Sequence, residues 1–167
     1  MPHTAFFAPA SRTDEPPPPR SILVAFLALM AALAAGIGEM IEHIAVEVMR
    51  SGADWPGLAA GVAVRLGIYL VVFLVAVRMT HGARWARIAL TFGIGVVGLA
   101  SLIVEPIQNL LSANDIGALF GGITADSVLV ALLRTIHIVA VLIAIPAMYR
   151  GDAHDYFAAI EAKRPVE

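Results

Sequence analysis

Four long apolar segments occupy most of this chain and limit what it can fold into. They cover residues 21–49, 58–77, 85–106 and 127–149. Each reaches the roughly 20 residues that a helix needs to cross about 30 Å of hydrocarbon. A hydrophobic fraction of 59% is far above that of soluble proteins, and 167 residues are too few to bury four such helices in a water-soluble core. We therefore expect an all-α, integral membrane four-helix bundle.

Basic residues indicate how the bundle is oriented. They concentrate in the N-terminal tail, in the turn between the second and third segments, and in the C-terminal tail: Arg12, Arg20, Arg78, Arg84, Arg87, Arg150, Lys163 and Arg164. Residues 107–126, between the third and fourth segments, contain no Lys or Arg. Because Lys and Arg accumulate on the cytoplasmic side of a membrane, both termini are predicted to be cytoplasmic.

The two ends of the chain differ from its apolar middle. Residues 1–20 contain four consecutive prolines and predict a disordered, Pro-rich cytoplasmic tail. Residues 21–150 form the predicted four-span transmembrane domain. Residues 151–167 form a cytoplasmic tail, in which a short amphipathic helix is expected to lay Tyr156, Phe157 and Ile160 against the membrane.

Seven ionisable side chains lie within the apolar segments or at their ends. They are Glu39, Glu42, His43, Arg65, Glu105, Arg134 and His137. Ionisable groups within a membrane are costly, and they usually face the interior of a bundle or a water-filled cavity. At about 100° and about 1.5 Å per residue, the acids and the histidine of the first segment share one face, and all seven residues fall in the outer half of the bundle. We expect them to converge there in one polar cluster.

Two interpretations of this cluster stay open. In the structural one, Glu39 or Glu42 pairs with Arg65 and Arg134 and fixes the packing of the helices. In the functional one, the cluster lines an outward-facing cavity that binds a lipid head group, a small solute or a partner membrane protein. A proton-coupled transporter or channel component is an alternative, because intramembrane carboxylates and histidines can carry protons.

The residue types also limit the cofactors and partners. The absence of cysteine excludes thiolate metal sites and c-type haem attachment. No catalytic motif is evident, so neither a catalytic residue nor a metal site is predicted. A haem between His43 and His137, in a membrane oxidoreductase subunit, is the one cofactor that the residues permit. Membrane lipid and a second copy of the chain are the other candidate partners, and nothing indicates nucleic acid.

Two further patterns concern packing and symmetry. Residues 93–98 match the G-x-G-x-x-G of dinucleotide sites, but that fingerprint needs a preceding strand. Inside a membrane helix the glycines instead predict a small-residue face for close helix packing. Arg65 and Arg134 are 69 residues apart, as are Gly82 and Gly151, and this spacing suggests a two-plus-two hairpin repeat.

The segment that enters the third apolar helix resembles a known class of proteins. Residues 84–91, Arg-Trp-Ala-Arg-Ile-Ala-Leu-Thr, are followed by Gly-rich apolar sequence. They are similar to a segment found in small four-helix integral membrane proteins of high-GC bacteria, whose function is mostly unassigned. The resemblance covers about one helix. It implies a multi-pass protein of a bacterial plasma (inner) membrane and assigns no functional residue.

Overall fold

The computed structural model describes residues 17–52, 54–100, 102–103, 107 and 125–162, and their regular secondary structure is entirely helical. The elements in chain order are α1 (Arg20–Val48), α2 (Trp55–Thr80), α3 (Arg84–Leu90), a π-helix (Thr91–Gly98) that continues α3, α4 (Ala125–Met148) and α5 (Gly151–Ala162). Helices α1, α2 and α4 are each long and apolar enough to cross a membrane. The all-helical class is therefore confirmed, and the three helices are consistent with a membrane protein.

The predicted third span, residues 85–106, begins as α3 and the π-helix. Its end, which includes Glu105, lies outside the described residues, as does most of the connection to α4. The four-span arrangement, the side of the membrane on which the termini lie, and the hairpin repeat therefore stay predictions.

Local sequence explains where α1 ends and α2 begins. Gly52 follows α1 with a φ of +87°, a left-handed conformation that is easy for glycine and costs other residues roughly 1–2 kcal/mol. The Asp54 carboxylate accepts a hydrogen bond from the Gly57 amide at 3.2 Å and so caps α2. Pro56 is tolerated in the first turn because the N–H that it lacks would have no helical partner there.

The turn between α2 and α3 requires glycine for two reasons. Gly82 has a φ of +77°, and a Cβ atom at this position would lie 2.8 Å from the Ile160 side chain of α5. The Gly82 amide also donates a hydrogen bond to the Met79 carbonyl at 3.0 Å, which closes the end of α2. Helix α5 therefore packs directly on this turn.

One end of the bundle is a closely packed core, which we call the closed end. It contains the start of α1, the end of α2, α3, the end of α4, and α5. Phe157 of α5, with 1% exposure, is its largest fully buried side chain. The other helices contribute Ile22, Ala25, Leu29, Ala76, Met79, Ala86, Leu90, Ala144, Ala147 and Met148.

The position of α5 corrects one prediction. Tyr156, Phe157 and Ile160 were expected to lie against the membrane, but they are buried in the core of the closed end. The Tyr156 hydroxyl donates a hydrogen bond to the Thr80 carbonyl at 2.8 Å, which ties α5 to the end of α2. The apolar stripe of α5 is as predicted, but it packs on protein because the ends of the other helices present apolar surface to it.

The opposite end, which we call the open end, contains the turn between α1 and α2 and the start of α4. Helices α1 and α4 remain in contact towards it through Ala32, Ala140 and Val141. Helix α2, in contrast, has no buried residue before Ala76. Space therefore remains among α1, α2, the π-helix and α4 in this half of the described structure.

Candidate ligand-binding cavity

The space in the open half is a cavity of about 530 Å³ among α1, α2, the π-helix and α4. Sites for small molecules range from roughly 300 to 1,000 Å³. Six of the predicted site residues line this cavity, namely Glu39, Glu42, His43, Arg65, Arg134 and His137. The seventh, Glu105, lies outside the described residues. The structure thus brings together ionisable side chains from three helices that are far apart in the sequence.

One acid and one arginine of the cavity form an ion pair. Nε of Arg134 lies 3.7 Å from Oε2 of Glu39, and the two side chains are 24% and 17% exposed. Because removing a charge from water is costly, a nearby opposite charge makes each group more tolerable in apolar surroundings. The pair joins α1 to α4, the two helices with the most extensive mutual contact. This is the kind of contact that the structural interpretation of the cluster requires.

Arg65 and Glu42 also face the cavity, but neither has an oppositely charged partner among the described residues. Arg65 lines it from α2 and Glu42 lines it from α1. Within the part of the chain that the structure describes, neither side chain has an ion-pair or hydrogen-bond partner. The ion pair expected for Arg65 is therefore not formed with any described residue. Its guanidinium can instead meet the anionic group of a ligand, which it can hold with two parallel hydrogen bonds.

The two histidines differ in their surroundings. His43 is exposed near the end of α1, whereas His137 is half-buried in α4. Nδ1 of His137 is itself buried and has no hydrogen-bond partner among the described residues. Leaving a buried polar atom unpaired costs roughly 1–3 kcal/mol, and most such atoms in proteins are therefore paired. A polar group that enters the cavity can supply this partner.

Tyr69 is a cavity residue that the sequence analysis missed. Its hydroxyl donates a hydrogen bond to the Gly36 carbonyl at 2.8 Å and so connects α2 to α1 across the cavity. Gly36 permits this approach, because a Cβ atom there would lie only 3.1 Å from the hydroxyl oxygen. A signal was present in the sequence. Tyr69 follows Arg65 by four residues in a helix, so the two side chains share a face.

The glycines of the π-helix serve two different contacts. A Cβ atom on Gly95 would lie 2.5 Å from the Ile145 side chain of α4, so this glycine allows the close packing that the sequence predicts. Gly93 lines the cavity, and a Cβ atom there would meet no described atom within 4 Å. π-Helical turns are rare in proteins, and many of those that do occur lie at functional sites. The π-helix thus both packs on α4 and forms one wall of the cavity.

Comparison of the chain with known protein families, with curated proteins and with solved structures finds no match. Among the described residues, no three His, Asp or Glu side chains are grouped as a metal site. The functional argument therefore rests on the cavity alone.

Proposed function

We propose that this chain is a four-span protein of a bacterial plasma membrane whose open-end cavity binds a small anionic ligand at Arg65. The ligand is either a small solute or the head group of a membrane lipid, since both can offer the same phosphate or carboxylate chemistry. The observation that carries the proposal is the cavity of about 530 Å³, in which six ionisable side chains from α1, α2 and α4 converge.

The unpaired arginine of the cavity favours an anionic ligand. Glu39 and Arg134 are paired with each other. Among the described residues this leaves the positive charge of Arg65 and the negative charge of Glu42 without an ion-pair partner, and an anionic group can pair with Arg65. Arg65 is exposed to the cavity, and its planar guanidinium can hold a phosphate or carboxylate with two parallel hydrogen bonds. Nδ1 of His137 is buried in the same cavity and can donate a hydrogen bond to, or accept one from, this ligand.

The charge distribution supports the proposed topology. Arg20, Arg78, Arg84, Arg87 and Arg150 all belong to the closed end. At the open end, Arg50 is paired with Glu47 at 3.2 Å, and acidic side chains lie at the starts of α2 and α4. Because basic residues remain in the cytoplasm, we assign the closed end and both tails to the cytoplasmic side. The cavity then opens on the outer side.

The test uses the protein in phosphatidylcholine nanodiscs and glycerol phosphate as a water-soluble probe. Histidine nitrogen NMR is expected to show a saturable shift of the His137 signal as the probe is added. Arg65→Gln should weaken binding by roughly tenfold or more, as expected when a charge-assisted hydrogen bond is lost. Arg78→Gln, an exposed arginine at the closed end, is the matched control and should leave binding unchanged. No saturable shift, or equal loss in the two variants, would overturn the proposal.

A proton-coupled transporter or channel component is the second candidate function. It is favoured by the contrast between the two ends, since the cavity reaches Leu29 and Val72 and the packed core lies beyond them. A pathway open on one side and closed on the other is what alternating access requires of one conformation. Proton flux into liposomes that Glu39→Gln abolishes would support this function, and no flux would eliminate it.

The haem hypothesis stays a prediction. His43 and His137 both line the cavity, but nothing else in the geometry selects haem over a smaller ligand. A Soret band in the purified protein that is lost in His137→Ala would support it.

A further inference from the structure

An apolar groove runs along the outside of the cavity wall. It has a volume of about 470 Å³ and lies between α2 and the α3–π-helix segment. Val64, Val71 and Val75 line it from α2, and Ala89 and Leu90 line it from α3. All of its lining residues are apolar or glycine, so no side chain of the groove can form a hydrogen bond with an occupant.

The groove and the polar cavity adjoin each other. Ile68 and Val72 of α2, and Gly93 and Ile94 of the π-helix, line both of them. A single compound can therefore place a charged end in the cavity and an apolar end in the groove. Arg65 lies on α2 next to Val64 and three residues before Ile68, which puts its charge near the junction.

Two glycines keep the groove wide. A Cβ atom on Gly67 or Gly93 would meet no described atom within 4 Å, so both positions border open space. Glycine lowers helix stability by roughly 1 kcal/mol relative to alanine. Gly67 and Gly93 face the groove from opposite walls. Their cost to helix stability is understandable if the groove holds a ligand that needs this width.

The lining of the groove and the nearby charge favour a lipid as the occupant. The stretch of α2 from Val64 to Val75 is about 16 Å long at about 1.5 Å per residue, and every side chain that lines the groove is apolar. Arg65 supplies a positive charge beside this apolar surface. A molecule with a hydrocarbon chain and an anionic head group complements both features, whereas an apolar helix of a second copy or of a partner protein offers no anion to Arg65.

We propose that the ligand is an anionic membrane phospholipid, with its head-group phosphate at Arg65 and one acyl chain in the groove between α2 and α3. This inference rests on the proposed function, since it takes the anion site at Arg65 as given. It adds the class of ligand and a second binding surface. The membrane itself supplies such a lipid in contact with α2, without any step through water.

The test uses phosphatidylglycerol that carries a photoactivatable diazirine in the middle of one acyl chain, diluted into phosphatidylcholine nanodiscs around the protein. After irradiation, mass spectrometry locates the adducts. They are expected to concentrate in residues 64–75 and 89–94. Gly67→Leu, which fills the groove from α2, should lower the adduct yield there by roughly fivefold or more, the size expected from overpacking an apolar site.

Three further variants keep the test interpretable. Ala89→Phe fills the groove from α3 and should have the same effect, so the result does not depend on the folding of one variant. Leu70→Phe adds similar bulk to an exposed position of α2 outside the groove and should leave the yield unchanged. Arg65→Gln should lower the yield by roughly tenfold, through loss of the phosphate contact.

The possible failures are distinguishable. Adducts that spread over all the helices, or that are unaffected by both filling variants, would overturn the acyl-chain site. A cross-link from the groove to a second copy of the chain would overturn it too. If glycerol phosphate still shifted the His137 signal in these cases, the proposed anion site would stand without the lipid. If the probe failed while adducts still concentrated in the groove, the anion site at Arg65 would be wrong and the groove would bind chains without it.

Discussion

The closed and open ends of this bundle differ in how closely their side chains are packed. At the closed end, apolar side chains from all five α-helices pack around Phe157. Arg84 pairs with Glu161, and the Arg87 guanidinium lies 4.8 Å and 5.0 Å from the ring centroids of Tyr149 and Phe157. At the open end, ionisable side chains surround a cavity, and two of them, Arg65 and Glu42, have no ion-pair or hydrogen-bond partner among the described residues. The comparison predicts that substitutions in the core of the closed end lower the stability of the protein more than substitutions around the cavity.

The largest expected effect is on the closed end. Phe157→Ala should lower the free energy of unfolding by about 3–5 kcal/mol, because it removes a fully buried aromatic side chain and leaves a cavity. Thermal unfolding in detergent measures the change. Phe92→Ala is the matched control, since Phe92 is 64% exposed. Equal losses in the two variants would show that α5 does not hold the closed end together.

A smaller effect is expected at the ion pair of the open end. Glu39→Leu or Arg134→Leu alone removes the ion pair and keeps the other charge in the cavity. The cost of breaking a fully buried pair is roughly 3–5 kcal/mol, and we expect about 2 kcal/mol here because both side chains keep some exposure. The double variant should recover part of the loss in thermal unfolding. If the loss of stability in the double variant equals the sum of the two single losses, Glu39 and Arg134 do not interact.

Two turns allow a direct comparison between the ends. Gly52 at the open end and Gly82 at the closed end both have positive φ, so alanine should cost roughly 1–2 kcal/mol at each from backbone strain. Only Gly82 would also place its Cβ against Ile160, whereas nothing lies within 4 Å at Gly52. Gly82→Ala should therefore lower the melting temperature more than Gly52→Ala. Equal shifts would mean that α5 can move away from the turn at little cost.

The last prediction concerns topology and involves little change in stability. The chain contains no cysteine, so single cysteines can be placed at Ser51 and His81, which are exposed at the two ends. A membrane-impermeant maleimide should label Ser51→Cys on intact cells, and His81→Cys only after permeabilisation. Labelling of both from one side would contradict the opposite placement of the two ends. Gly82 itself is unsuitable for a probe because a side chain there meets Ile160.

Much of the architecture was predictable because it depends on composition and helix periodicity. The long apolar segments anticipate α1, α2 and α4, although α1 begins at Arg20 and α2 at Trp55, a few residues outside the predicted bounds. The cost of a charge in apolar surroundings singled out the residues that line the cavity. Tyr69 was missed because a tyrosine in an apolar segment carries no comparable cost, and its importance comes from its contact with Gly36.

The sequence alone determined which segments are helical and which side chains must avoid hydrocarbon, because both follow from the free energy of placing each residue type in an apolar medium. Three features were decided only by the tertiary structure. Glu39 rather than Glu42 pairs with Arg134, α5 covers the bundle instead of lying on the membrane, and the groove and the cavity share lining residues. Each depends on how helices are positioned relative to one another, and periodicity within one helix contains no information about the surface that its neighbour presents.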